Sequence, residues 1–369
     1  MRAGEEPSPR GATRFADAGP PPRGSATVCD VTDSRQRPWT MQQIAAAAGV
    51  SVTTVSHTIS GKRPVRPDTA ERVRRLIEEF GYVPDSGAQR LKTGRSRIIG
   101  LAVPDVSHWY FGRIARGVEE AADELDYGVI VASTSNSDPR REKRYFNMLR
   151  TRLIDGLVYT ASREMTPTEE LVKLASKSPV VLADEAIPSL DGLPSVTSDN
   201  YVGAQDLGRH LASLGHTRAV ILSGYAGLKS QIERVKGIRE SFPNALVLYG
   251  DFELRSGYDL VSDLLAQDVR FTALFGCNDL MAIGAMQRLR EAGIRVPEDV
   301  SVVGFDDVDM ASVVTPGLTT VRQDMLEIGR RSGRLLIEGL EGRTELTSAG
   351  SVSLPVELVI RGSTATAPA

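Results

Sequence analysis

Short apolar runs alternate with amphipathic stretches over most of the chain, from Arg97 towards the carboxyl terminus. The runs are rich in Val, Ile, Leu or Ala, and eight of them cover residues 98–103, 129–132, 156–159, 180–183, 219–222, 246–249, 273–277 and 300–305. The stretches between them, such as 112–125, 204–214 and 280–292, read as helices. Strand–helix alternation predicts an α/β fold with parallel sheets that are covered on both faces. Eight strand–helix units are more than one sheet comfortably holds, so we expect two sheets in two lobes.

The segment 40–60 has a different pattern, which predicts two short helices joined by a tight turn. Thr40 is a good N-cap, and Gln43 three residues later completes a capping box. Gly49 stands where a left-handed residue ends the first helix. Ser51 then caps the second helix, which is short and well defined.

The second helix has an inner and an outer face. Val55 and Ile59 are four residues apart and point inward, whereas Thr53 and His57 have the same spacing and point outward. A short capped helix with exposed polar side chains is typical of a recognition helix that enters the DNA major groove. The alternative is an ordinary helical hairpin in an enzyme.

A third helix follows within fifty residues. Pro67 suits its first turn, Val73, Ile77 and Phe80 form its apolar stripe, and Gly81 ends it. Three helices of this length predict a compact N-terminal headpiece.

Residues 40–96 resemble the headpiece of LacI/GalR-type transcriptional repressors. The matching sequence segments are MQQIAAAAGVS, TTVSHTIS, VRPDTAERV, EFGYVPD and AQRLKTGRS. The resemblance continues almost to the C-terminus. It implies a two-lobed, periplasmic-binding-protein-like (type I) body with an effector between the lobes. It also implies a homodimer on palindromic operator DNA. We expect the chain to cross between lobes near Asp184, Gln323 and Thr347.

The resemblance divides the chain into five segments. These are the helix-turn-helix headpiece (39–83), a hinge helix or linker (84–96), the effector-binding and dimerisation body (97–361), a tail at 362–369, and residues 1–38, whose Pro-, Gly- and Arg-rich composition predicts a disordered tail.

DNA contacts are expected in the headpiece and the hinge. The resemblance places base reading at Val52, Thr53 and His57, and it places Ala88 and Leu91 at the paired hinge helices in the minor groove. Plausible phosphate contacts, which position a headpiece without reading sequence, are Thr40, Ser51, Thr54 and Lys62.

Polar and aromatic residues follow the predicted strand ends, where parallel sheets bind ligands. The strand-end residues expected to contact an effector are Tyr110, Phe111, Asp184, Asn278 and Asp306, and Arg234 joins them from the helix after Gly224. The family resemblance adds Phe252, which matches an aromatic residue that closes the pocket in the purine-binding branch. Carboxylates, an amide and an arginine beside aromatic faces favour a sugar. The alternative effector is a purine corepressor, against which the apolar Leu228 counts.

Structural roles compete with binding at several of these positions. Arg234 and Asp306 form an inter-lobe ion pair in the competing interpretation, and Phe252 is then a core residue. Asp279 and Asp307 are expected to be helix N-caps rather than ligand contacts.

Composition narrows the class of protein. The net charge is −3 over 369 residues, but residues 40–97 contain ten Lys or Arg and five Asp or Glu, a net of +5 that leaves −8 for the remainder. A basic module on an acidic body indicates that a small part of the chain contacts phosphate. Cys29 and Cys277 form no disulfide framework, which favours a cytoplasmic protein. We expect no membrane span, metal, cofactor or enzyme motif; a solute-binding protein without DNA function is the alternative from another class.

Overall fold

The computed structural model describes residues 39–61, 63–82, 94–134, 138–161, 169–190, 192–346 and 350–368. The chain divides into two units, Met1–Pro84 and Asp85–Ala369. Within the described residues, the first unit is helical and the second contains the strands. The predicted α/β class with a helical headpiece is therefore confirmed.

The headpiece consists of three helices, α1 (Met41–Ala48), α2 (Val52–Ser60) and α3 (Pro67–Glu79). The capping box is present, since Thr40 N donates to Gln43 Oε1 at 2.9 Å and Gln43 N donates to Thr40 Oγ1 at 3.3 Å. Gly49 ends α1 with φ at 64°, and Ser51 Oγ accepts from Thr54 N at 3.1 Å. Local sequence signals thus define both helices of the motif.

A small core holds the three headpiece helices together. Ile44, Val55 and Val73 contribute one fully buried side chain from each helix. Trp39 stacks on Phe80 with 3.8 Å between the ring centroids. The inward spacing of the apolar residues therefore produces one cluster, while the polar faces of the helices are left outside it.

The body begins with a lobe built on a six-stranded parallel sheet in the order β11-β5-β4-β3-β1-β2. Its strands are β1 (Ile98–Val103), β2 (Gly128–Ser133), β3 (Gly156–Tyr159), β4 (Val180–Asp184), β5 (Ser195–Ser198) and β11 (Ser351–Leu354). Its helices are α4 (Trp109–Glu124), α5 (Pro139–Arg150), α6 (Glu169–Ala175) and α12 (Met325–Leu340). We call this the first lobe.

Both faces of the first sheet are covered, as parallel sheets require. Leu101 of β1 belongs to a cluster with Ile114 of α4 and Ile328 of α12, whereas its neighbour Ala102 belongs to a cluster with Phe146 of α5. Successive residues of one strand therefore enter different cores.

The second lobe has a four-stranded parallel sheet in the order β7-β6-β8-β9. Its strands are β6 (Ala219–Ser223), β7 (Leu246–Tyr249), β8 (Ala273–Gly276) and β9 (Ser301–Val303). Its helices are α7 (Asn200–Ser213), α8 (Lys229–Arg239), α9 (Leu254–Ala266), α10 (Asp279–Glu291) and α11 (Asp309–Val313). An antiparallel pair, β10 (Thr320–Arg322) with β12 (Glu357–Val359), continues beside it.

The chain crosses between the lobes at places that only partly match the prediction. The second crossing follows β10 at Gln323, as expected. The first lies after β5 rather than at Asp184, because residues 195–198 add a further strand to the first sheet before the chain leaves it. The third follows β11 at 355–356, whereas Thr347 lies outside the described residues.

Close packing of α4 against α12 depends on a glycine. A Cβ added at Gly117 would lie 2.0 Å from the carbonyl oxygen of Leu326, a backbone atom of α12. We expect Gly117→Ala to push the helices apart and to lower the free energy of unfolding by about 1–3 kcal/mol, measured by urea denaturation.

The control is Gly112→Ala in the same helix, where an added Cβ has no atom within 4 Å. This exposed substitution should be neutral or stabilising by about 0.5–1 kcal/mol, because Gly is a poor helix former. Equal stability of the two variants would contradict the close approach of α4 and α12.

Candidate DNA-contacting helix and ligand cleft

The helix α2 presents its polar side chains away from the headpiece core. Thr53 is exposed, Val52 is 41% exposed, and His57 is half-buried, whereas Val55 between them is fully buried. Ser51 Oγ and Thr54 Oγ1 lie 2.9 Å apart at the start of the helix. This arrangement leaves the expected base-reading residues at the surface, and their contact with DNA stays a prediction.

The remaining expected DNA contacts have different outcomes. Thr40 is exposed at the start of α1, where its side chain forms the N-cap. Lys62, Ala88 and Leu91 lie outside the described residues.

A cavity of about 90 Å³ lies between the two lobes of the body. All seven expected effector residues line it. The full lining is Pro104, Asp105, His108, Tyr110, Phe111, Ala161, Asp184, Glu185, Tyr225, Leu228, Ser230, Gln231, Arg234, Asp251, Phe252, Glu253, Asn278 and Asp306. Strand ends from both sheets supply most of these residues, which is why reasoning from strand ends found the site.

The first lobe contributes a tyrosine–carboxylate pair. Tyr110 at the start of α4 donates its hydroxyl proton to Asp184 Oδ1 at the end of β4. Phe111 stands edge-on to the Tyr110 ring with centroids 5.3 Å apart. Burial raises the pKa of Asp184, while the Tyr110 hydrogen bond and Arg234 act in the opposite direction. This wall combines an aromatic face with a hydrogen-bond acceptor.

Arg234 of α8 is the central cation of the second lobe, and its residue is only 5% exposed. Its Nε donates to Asn200 Oδ1 at 2.8 Å, and its Nη1 donates to the Cys277 carbonyl oxygen. Its guanidinium lies 3.8 Å from the Phe305 ring centroid. The side chain is therefore fixed from several directions before any ligand binds.

Asp306 follows β9 and lies 3.5 Å from Arg234 Nη1. Both residues belong to the second lobe, so the pair is not the inter-lobe ion pair of the competing interpretation. Gln323 Nε2 donates to Asp306 Oδ1 at 2.6 Å. Burial raises the pKa of Asp306 to about 7, although Arg234 lowers it.

Phe252 forms an aromatic wall that a glycine makes possible. Its ring occupies the space beside Gly224, where an added Cβ would stand 2.1 Å from the ring, and Tyr225 contacts it edge-on at 5.6 Å. Asn278 Nδ2 donates to the Phe252 carbonyl oxygen at 2.8 Å, and Asn278 Oδ1 accepts from Met281 N at 3.0 Å. Asn278 therefore positions Phe252 and caps α10 at the same time.

The expected N-cap roles of two aspartates are wrong. Asn278, not Asp279, caps α10. Asp279 is fully buried and accepts from Thr320 Oγ1 at 2.5 Å and from Val308 N at 2.8 Å. Asp307 pairs with Arg322 at 2.8 Å and with Arg361 at 2.6 Å. Long-range partners, which local spacing does not reveal, occupy these carboxylates.

Glu185 is a lining residue that the sequence reasoning missed, although it directly follows Asp184. It belongs to the first lobe, yet it accepts hydrogen bonds from Ser230 of the second lobe, from the backbone N at 3.2 Å and from Oγ. Burial raises the pKa of Glu185 to about 8, and the charge of Asp184 contributes. Asp251 and Glu253 also line the cavity and were not predicted. Their positions on either side of Phe252 could have indicated them.

The cleft is equipped for binding. Within the described ranges, no cluster of three His, Cys, Asp or Glu side chains is arranged to hold a metal ion. No helix in the described part of the chain has the length and apolar character needed to span a membrane. Hydrogen-bond acceptors, one fixed guanidinium and aromatic walls are the groups that select a small polar ligand.

Comparison with known proteins agrees with this architecture. Residues 40–85 match the model of the lacI family of bacterial regulatory proteins, and residues 209–364 match the periplasmic binding protein-like domain. The HTH-type transcriptional repressor PurR of Haemophilus influenzae is 33% identical over 337 residues, which cover 88% of this chain and 98% of PurR.

Two solved structures share the fold over most of the chain. The lac repressor dimer bound to operator and the anti-inducer ONPF has a TM-score of 0.80 at 28% identity, covering 89% of this chain and all of that one. The complex of the transcriptional regulator CelR with cellobiose has a TM-score of 0.67 at 30% identity, covering 88% and 99%. The headpiece, the two-lobed body and the relatives together show that this chain belongs to the lacI family of bacterial transcriptional regulators.

Proposed function

We propose that the chain is a homodimeric repressor whose affinity for a palindromic operator is set by a sugar bound between its lobes. The main support is that one cavity is lined by all seven residues that the strand ends and the family resemblance predict as effector contacts. A repressor of this kind works in the cytoplasm, where its operator is. The lac repressor, which resembles this chain, is a dimer on its operator.

The chemistry of the cleft supports a sugar. Vicinal hydroxyls pair well with carboxylates and with a guanidinium, and sugar rings stack on aromatic faces. Asp184, Arg234 and Asp306 provide the polar groups, while Phe111 and Phe252 provide the rings. The solved structure of the related regulator CelR is a complex with cellobiose.

A purine corepressor is the second candidate, because the repressor PurR is among the relatives. The family resemblance also matches Phe252 with an aromatic residue that closes the pocket in the purine-binding branch. One position opposes it. Leu228 lines the cavity and is only 4% exposed, at a point where that branch places a polar contact. A buried leucine leaves purine heteroatoms without a partner, which costs binding energy.

Control of DNA binding requires that the effector bind two conformations of the protein unequally. The cleft is formed by two lobes that the chain joins at three crossings. A ligand that bridges both lobes favours one angle between them. In the family interpretation this angle sets the spacing of the paired hinges, where Ala88 and Leu91 are the proposed minor-groove contacts.

DNA reading is tested by substitution on the exposed face of α2. The operator is first selected from a random duplex library, and its affinity is then measured by fluorescence anisotropy at two salt concentrations. We expect Thr53→Ala to cost about 1–3 kcal/mol of operator affinity, because a base contact is lost while Ala preserves the helix.

The same variant on non-operator DNA is the matched control. Its affinity there should be unchanged, because phosphate contacts dominate non-specific binding. If the wild-type protein selects no preferred sequence from the library, the DNA-binding proposal is wrong. If Thr53→Ala loses the same affinity for operator and for non-operator DNA, Thr53 does not read a base.

The effector site is tested at Arg234. Arg234→Ala should abolish the change in operator affinity that the effector produces, because Asp306 and the ligand lose their shared cation. The measurement is operator titration with and without a sugar found by thermal-shift screening. Thermal unfolding of the variant shows whether the body is intact, and a normal effector response in the intact variant would place the pocket elsewhere.

A further inference from the structure

Three carboxylates of the cleft share one guanidinium. Asp184 and Glu185 come from the first lobe and Asp306 from the second, and all three line the cavity. Glu185 and Asp306 are only 4% and 5% exposed. Arg234 is the positive group that acts electrostatically on each of the three. Three negative charges against one positive charge leave the ionised cluster with a net charge of −2.

The surroundings do not supply the missing positive charge. Tyr110 and Cys277 are neutral groups that face the cluster, and the negative charge of Asp306 also raises the pKa of the nearby buried Asp279. Among the described residues that line the cavity, Arg234 is the only lysine or arginine. The rim adds three further carboxylates, those of Asp105, Asp251 and Glu253, beside the imidazole of His108. Full ionisation of these carboxyls would therefore give the cleft a strongly negative electrostatic potential.

The protonation behaviour of the cluster agrees with this imbalance. Burial and mutual repulsion raise the pKa of Glu185 to about 8, and burial raises the pKa of Asp306 to about 7. At neutral pH the cluster therefore retains protons, because buried carboxylates without counter-charges do not all ionise. A cation inside the cleft would take the place of these protons.

Acceptor atoms remain available for such a cation. Tyr110 bonds to Oδ1 of Asp184, and Gln323 bonds to Oδ1 of Asp306. Within the described residues, the Oδ2 atoms of these two carboxylates carry no hydrogen bond. Glu185 supplies a third carboxylate, and an ammonium group has three N–H donors.

We propose that the effector carries a protonated amine, held by Asp184, Glu185 and Asp306, and that the ligand is an amino sugar. This inference rests on the proposed sugar-controlled function and specifies its ligand class. A neutral sugar supplies no counter-charge, so the buried carboxyls keep their protons when it binds. An anionic ligand adds a further negative charge to them, which is more unfavourable still.

The first experiment compares ligands that differ in one charge. Isothermal titration calorimetry at pH 7 uses D-glucosamine, D-galactosamine and D-mannosamine, each beside its N-acetyl derivative and its parent hexose. N-acetylation removes the positive charge and keeps the ring. We expect one amine to bind at least about tenfold more tightly than both of its neutral partners, a difference of about 1.4 kcal/mol.

Proton release is an independent readout on the wild-type protein. Titrations in two buffers of different ionisation enthalpy should show that the amine expels protons from the cleft, because its charge lowers the pKa of Glu185 and Asp306. Below the pKa of the amine itself, the affinity for the amine should rise as the pH rises towards the pKa values of about 7 and 8 of Asp306 and Glu185, because these carboxyls lose their protons more readily while the amine keeps its charge. A neutral hexose should show neither effect.

Glu185→Gln tests the cluster directly. It removes the carboxyl that gives up its proton when the amine binds, and it keeps a side-chain oxygen that can accept from Ser230, so the preference for the amine over its N-acetyl derivative should fall about tenfold. Asp263→Asn removes a charge from an exposed position of α9 and should leave the preference unchanged. Thermal unfolding of both variants separates loss of structure from loss of preference, and the wild-type comparison needs no variant.

The outcomes separate the two proposals. If a parent hexose or N-acetyl sugar binds as tightly as the amine and shifts operator affinity, the cationic ligand is wrong and the sugar-controlled function stands. If nucleobases bind and no sugar does, both proposals are wrong. If no member of the amine panel binds, the amino-sugar assignment is overturned.

Discussion

The cleft depends on how the body fixes the buried guanidinium of Arg234. A charge removed from water is tolerated only when partners replace its hydration. Asn200 at the start of α7, the carbonyl of Cys277 after β8 and Asp306 after β9 provide these partners. Each partner stands at the end of a different element, so one side chain ties together the edge of the second sheet. A ligand that bonds to Arg234 therefore meets a group whose position is already determined, and it pays little to order that group.

The first lobe contacts the second lobe beside Arg234 through the carboxylate of Glu185. Glu185 accepts from Ser230 in the first turn of α8, a helix whose N-cap, Leu228, has no side chain able to cap it. The partner that the helix lacks in its own sequence is thus supplied by the other lobe. The hydrogen bonds from Ser230 at the helix N-terminus lower the pKa of Glu185, and so they oppose part of the increase that burial causes. The same contact joins the two lobes, so the ionisation of Glu185 is coupled to a pair of hydrogen bonds between them.

Regular elements and the composition of the site were predictable from the sequence, whereas partners distant in the chain were not. The eight apolar runs correspond to strands because buried parallel strands need continuous apolar residues. The strand β5 was missed because Ser195, Thr197 and Ser198 make it polar, and only pairing with β4 and β11 identifies it as a strand. The first lobe crossing was misplaced for the same reason. Glu185 and the roles of Asp279 and Asp307 were not predicted because their partners lie 15 or more residues away in the chain and become neighbours only after folding.

The distribution of charge gives the two binding regions opposite preferences. Residues 40–97 carry a net charge of +5, and the remaining residues carry −8. A polyanion such as DNA is attracted to the first region and repelled by the second, which directs operator binding to the headpiece. The acidic cleft has the reverse preference, since its lining carboxylates outnumber its single guanidinium and disfavour phosphate-bearing metabolites. Discrimination against the wrong ligand requires such repulsion as well as attraction. This charge pattern therefore favours DNA at the headpiece and disfavours anionic molecules in the cleft.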